Sequence, residues 1–133
     1  MLAYWIFFLV PAIAACVSSP HMRFHADGTR PLHINETWIL IILALTIMIG
    51  FRYEVGGDWQ NYFQFLFDAN NLSFADLATK SDPGYWALNV LSVRLDLGIT
   101  GVNTLGALIF SIGLVLFCRN LPRPWLALAC AIP

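Results

Sequence analysis

Gly50-Phe51-Arg52-Tyr53-Glu54-Val55-Gly56-Gly57-Asp58-Trp59-Gln60-Asn61-Tyr62 begins where a long apolar run stops and ends inside an amphipathic segment. It gathers Arg52, Glu54 and Asp58 around the glycine pair Gly56-Gly57, in a chain that is elsewhere mostly hydrocarbon. Charge and glycine at the mouth of an apolar segment are where a lipid-solvated protein would place chemistry.

Composition makes the lipid reading firm. The 133-residue chain is 59% hydrophobic and only 11% charged, whereas soluble domains carry about 25% charged residues. Too little polar surface is available to cover a water-soluble globule, so the bilayer is its natural solvent. A net charge of -1 with no basic patch excludes a nucleic-acid partner. Cys16, Cys118 and Cys130 all sit inside apolar runs and read as small buried hydrophobes, not as a disulfide or metal set.

Working outward, apolar runs occupy residues 2–17, 38–51, 85–99 and 102–118, with a further one starting at Trp125. Each of the first four borrows flanking residues to approach the roughly 20 needed to span a bilayer core. Tyr4, Trp5, Trp38, Tyr53, Trp59 and Trp86 lie near run ends, as an interfacial aromatic belt requires. The expected fold is all-α: a polytopic transmembrane helix bundle of about four spans plus the start of a fifth, with two short interfacial helices. The expected organisation is a single membrane domain over 1–133. It has spans at 2–17, 37–51, 84–100 and 102–118, a loop at 18–36, an interfacial region at 52–83 and an incomplete span from 125 to 133.

The first run ends in a lipoprotein-like Ile13-Ala14-Ala15-Cys16, but no Lys or Arg precedes it, as a signal peptide needs. A retained helix kinked at Pro11 is the better reading. In the following link, His21 and His25 stand at i, i+4. The segment is broken by Pro20, Gly28 and Pro31 and offers no third ligand at motif spacing, so no metal is expected. Asn35-Glu36-Thr37 and Asn71-Leu72-Ser73 match the glycosylation sequon, a triplet too common to carry weight.

In the 52–83 region Asp58 is placed to cap a helix. Trp59, Tyr62, Phe63, Leu66 and Phe67 recur at i, i+3, i+4, i+7 and i+8 to form one apolar face. Asn61, Gln64, Asp68 and Asn71 line the other, and Phe65 breaks the pattern. That is the signature of a helix lying in the membrane interface. Ser73 with Asp76 predicts a capping box for a short helix ending near Lys80. Asp82-Pro83-Gly84 then opens the third span, Asp82 as N-cap and Pro83 at the first helical position. Asp82, Asn89 and Asp96 stand seven apart with Ser92 beside them, a polar stripe on an apolar helix. Arg94 lies off it, and both Arg94 and Asp96 can equally sit beyond the helix end. Counting Arg and Lys on the two sides leans weakly towards a cytoplasmic 52–83 region.

Tyr4-Trp5, Phe8 and Pro11-Ala12, the run from Gly50 to Trp59 with Asn61-Tyr62, and Asp82-Pro83-Gly84-Tyr85 with Leu88-Asn89 together resemble the EpsG family. These are bacterial multi-span proteins similar to Wzy-type polymerases of exopolysaccharide or capsule assembly. The likeness covers nearly the whole chain in order, and the GGDW-x-NY and DPGY-x-x-LN elements at this separation are far more specific than either alone. Family members run well past residue 133, so this chain is expected to be the N-terminal portion. The resemblance implies a multi-pass protein of the bacterial inner membrane with region 52–83 on the extracytoplasmic side, against the charge count. The implied partners are a polyprenyl-pyrophosphate-linked oligosaccharide, membrane lipid and an exopolysaccharide assembly complex, with no cofactor.

Joining a sugar hydroxyl to a glycan on a lipid pyrophosphate needs a carboxylate to take the hydroxyl proton and cations to hold the departing pyrophosphate. Asp58 is the expected catalytic base. Arg52 is the expected pyrophosphate clamp, its planar fork suited to phosphate oxygens. Gly56 and Gly57 let the backbone approach a ligand closely, and Trp59 and Tyr62 offer rings for sugar faces or headgroups. Asp82 and Asn89 complete the expected substrate-binding set. Each has a plainer reading: Asp58 and Asp82 as helix caps, Trp59 and Tyr62 as interfacial anchors. A transporter or flippase using the Asp82–Asn89–Asp96 stripe as its pathway, and a non-catalytic scaffold of an export complex, are the competing functions. A transporter should show paired broken helices near the midplane, which this portion lacks.

Overall fold

The computed structural model describes residues 2–17, 35–52 and 59–131. Among them the order is α1 (Leu2–Val17), α2 (Glu36–Gly50), α3 (Trp59–Ala69), a 3₁₀ helix η1 (Phe74–Thr79), α4 (Pro83–Arg94), α5 (Gly98–Arg119) and α6 (Pro124–Ala131), with no strand. The histidine-bearing link and the Gly56-Gly57-Asp58 triplet lie outside the described residues.

Helix is the form in which such apolar runs satisfy their own backbone groups. Length separates them. Among the described residues α5, at 22 residues or about 33 Å, is the one helix long and apolar enough to cross a bilayer core. Residues 5–17 of α1 and the whole of α2 form shorter apolar helices. α4 has 12 residues and α6 has 8, both short of a crossing.

The third apolar run, expected to continue to residue 100, stops as a helix at Arg94 because a specific turn closes it. The Leu97 amide donates to the Ser92 carbonyl at 3.0 Å and the Asp96 amide to the Val93 carbonyl at 3.1 Å. Asp96 lies in the left-handed region at φ 55°. This is the Schellman closure, with an aspartate where glycine is the usual occupant. Ser92 then donates its hydroxyl to the Gly98 carbonyl, and a Cβ on Gly101 would collide with Ser92 Oγ and Leu97 Cβ. The helices on either side of the turn therefore meet at glycine. Asp96→Gly removes the left-handed cost of a side chain and should raise stability by about 1 kcal/mol or less, read as a higher thermal midpoint in detergent.

The chain falls into two compact units. The first contains residues 1–42 and 112–133, and in it α1 packs along α6. Pro11 is buried within α1, Leu128 and Ala129 within α6, and Trp38 stacks on Trp125 at 4.8 Å between ring centres. The second unit, residues 43–111, has a core of Ala69, Leu77, Trp86 and Val90, flanked by Leu72, Ala87 and Val93. Here α4 is the central element, touching both α3 and η1. Also in this unit, Gly50 lies against α5 so closely that a Cβ would stand 2.8 Å from Thr104 Cα.

Local signals set several ends. The Trp38 amide points at Asn35, 3.0 Å from its carbonyl and 3.4 Å from Oδ1, so the Asn35 sequon is used as the cap of α2. The Ser73 amide donates to Asp76 Oδ2 at 3.0 Å, the reciprocal half of the expected capping box, although the element it opens is 3₁₀ and not α.

Candidate functional site

α2 ends at Gly50, and the Phe51 amide still donates to the Ile47 carbonyl at 3.1 Å. Arg52 follows directly, with an exposed side chain. Along α2, Leu40, Leu43, Ile47 and Phe51 are exposed at spacings of three and four, one apolar stripe that gives way to Arg52. An apolar stripe that ends on an arginine marks an edge between hydrocarbon and water.

Trp59 opens α3 buried, its indole edge-on to Tyr62 at 6.5 Å and to Phe63 at 5.8 Å. Such contacts hold the ring in place by quadrupole geometry as well as by area. Tyr62 is half-buried and Phe63 is 47% exposed.

The single apolar face expected of α3 is divided. Trp59 is buried, Tyr62 and Leu66 are half-buried, and Ala69 is 2% exposed, so these positions turn to protein. Phe63 and Phe67, the latter 74% exposed, form a separate strip. Phe65, expected to interrupt the pattern, is the residue that meets α4. Its ring stands edge-on to Tyr85 at 5.7 Å and to Trp86 at 5.5 Å. The reason is roll: α3 buries its smallest residue, Ala69, in the core, and that brings Phe65 onto the α4 aromatics.

At the start of α4, Asp82 Oδ1 accepts the Tyr85 amide at 3.2 Å, with Pro83 in the first turn. Asp82 is exposed. Its cap role is visible, and a substrate role is compatible with its exposure. Asn89 is 1% exposed and donates Nδ2 to the Tyr85 carbonyl at 2.9 Å, tying the first turn of α4 to the second. The stripe of Asp82, Asn89 and Asp96 does not run as a continuous polar track: Asp82 caps, Asp96 lies beyond the helix end, and Asn89 with Ser92 is buried between them.

One feature had no local signal. Lys80 Nζ sits 4.8 Å over the Trp86 ring, a cation–π contact across the proline-opened turn. The six-residue separation is not a helical spacing and straddles the start of α4, so only the fold joins them. Among the described residues there is no group of three or more His, Cys, Asp or Glu able to hold a metal ion.

The structure thus brings Trp59, Tyr62, Asp82 and Asn89 into one unit with Arg52 and gives each except Arg52 a described contact. Gly56, Gly57 and Asp58 lie outside the described residues. Neither a curated protein nor a solved structure matches the chain. A family model does match, over residues 36–132, from the first residue of α2 through α6. That stretch takes in the glycine-rich mouth, the interposed short helices and the proline-opened α4. The match extends over well more than half of the chain and includes α5, the helix long and apolar enough to cross a membrane, and on this ground the chain belongs to the EpsG family of membrane proteins.

Proposed function

We propose that this protein belongs to a multi-pass inner-membrane polysaccharide polymerase, a glycosyltransferase of exopolysaccharide or capsule synthesis acting on lipid-pyrophosphate-linked glycans. The observation that carries the reading is membership of the EpsG family over residues 36–132, with the arginine-bearing end of α2 and its following glycine pair inside the matched stretch. Region 52–83 faces the extracytoplasmic side in this reading, with α3 and η1 as interfacial helices.

In the reaction, Asp58 takes the proton of the acceptor hydroxyl as its oxygen attacks the anomeric carbon. The bond from that carbon to the phosphate oxygen breaks, and the electron pair leaves with the polyprenyl pyrophosphate. Arg52 steadies the charge that develops on the pyrophosphate, through paired N–H donors. Gly56 and Gly57 admit the headgroup, the half-buried Tyr62 offers a ring edge to it, and the buried Trp59 holds Tyr62 in place from behind. Asp82 and Asn89 act as positioning residues, because the amide and carbonyl they bind set the first turn of α4.

Radiolabelled lipid-linked repeat units, supplied to the purified full-length protein in lipid nanodiscs, should yield label in longer lipid-linked glycan. Arg52→Lys should slow this by roughly tenfold or more, since a point charge cannot reproduce the bidentate fork. Translocation of label without chain growth indicates a flippase, and neither activity indicates a scaffold.

A further inference from the structure

The exposed polar face of α3 has an unusual composition. Gln60, Asn61, Gln64 and Asp68 are all exposed, and at 100° per residue they cover one continuous arc of the helix. No lysine, arginine or glutamate occurs on α3. A solvated face of a soluble helix commonly mixes charges of both signs. Here it carries amides and one carboxylate, and none of the side chains of Asn61, Gln64 and Asp68 bonds to another described residue.

The roll of the helix fixes where this arc points. Ala69, Tyr62 and Leu66 are turned to protein, with Phe65 at their margin on α4. Phe63 and Phe67 form a bare apolar strip at the other margin of the arc. Two phenylalanines one turn apart, without a polar handle, suit the acyl–headgroup boundary and are too little surface for a stable protein contact. With that strip in lipid, the arc stands in water at the level where sugars attached to a membrane pyrophosphate emerge. Asn61, Gln64 and Asp68, at spacings of three and four, then form a row about 10 Å long along the helix axis. Planar amides and a carboxylate offer paired donors and acceptors, the complement of neighbouring sugar hydroxyls.

We propose that this arc of α3 is a glycan-binding subsite that holds sugar hydroxyls of the lipid-linked substrate through Asn61, Gln64 and Asp68. The proposal rests on the polymerase reading for the source of the glycan, and the geometry that carries it is the roll of α3.

The test is equilibrium binding and transfer with radiolabelled lipid-linked glycan extracted from the host membranes, using full-length protein in nanodiscs. Asn61→Ala with Gln64→Ala should weaken glycan binding by about tenfold and raise KM with little change in kcat, while thermal stability is kept. Gln64→Lys should do the same, although an ordinary solvated face accepts lysine freely. Unchanged binding in these variants overturns the subsite, whether or not transfer is seen. Wild-type binding without transfer, lost in the variants, supports the subsite and refutes the polymerase. A wild-type protein that neither binds nor transfers refutes both.

Discussion

Asp58→Asn in the full-length protein should abolish polymer formation and leave the protein in the membrane at normal abundance. Asp58 immediately precedes Trp59, the first residue of α3, so two roles compete for it. As a helix cap, Asn serves nearly as well as Asp, and losing even a good cap costs about 1 kcal/mol. As a general base, its amide replacement cannot take a proton, and positioned bases contribute roughly 10²–10⁴-fold to rate. The two effects are thus far apart, and the substitution separates them. Polymer yield and chain length in cells carrying the variant, with the protein quantified in the membrane fraction, give the answer. Normal polymer removes Asp58 from the base role and leaves it as a cap.

Gly50→Leu should prevent the membrane domain from reaching its native packing. Gly50 is the last residue of α2 and is buried. A Cβ there would stand 2.8 Å from Thr104 Cα, 2.9 Å from Oγ1 and 3.2 Å from Cβ. The hydroxyl could rotate aside, but the Cα belongs to the α5 backbone and cannot. Small residues are what let two apolar helices approach this closely, because lipid supplies no hydrophobic drive of its own between them. Overpacking of this kind costs typically 1–3 kcal/mol and more where backbone must move, a large part of a domain's margin. The expected reading is a fall of thermal midpoint in detergent and a drop in membrane abundance. Gly84→Ala is the matched control, since its Cβ would meet only Asp82 Oδ1 at 3.7 Å, an ordinary contact. If Gly50→Leu melts like wild type, the helices do not meet at this glycine.

Ends of elements were the most legible features before the fold was known. Asp82 caps α4 as its position before Pro83 implies, and Asp76 returns to the Ser73 amide. Each of those bonds spans three residues, so its donor and acceptor are neighbours in any chain that starts a helix there. The end of α4 was harder. The apolar run continues through Leu95 and Leu97, and a Schellman closure is ordinarily announced by glycine, but here Asp96 holds the left-handed position.

The faces were read less well than the ends, for a physical reason. Periodicity sorts apolar from polar residues around α3, but lipid and protein are equally apolar neighbours. It therefore could not tell that Tyr62, Leu66 and Ala69 turn to protein while Phe63 and Phe67 do not.

By itself, the sequence determined that this is an all-helical membrane protein of the EpsG family. Composition set the solvent, local side-chain bonds set the starts of α2, η1 and α4, and the order of the GGDW-x-NY and DPGY-x-x-LN elements set the kinship. Only the tertiary structure decided the roll of α3 on α4, the seat of Lys80 over Trp86, and the contact of Gly50 with Thr104. Those contacts join residues that follow no helical spacing, and they depend on side-chain volumes meeting across separate helices.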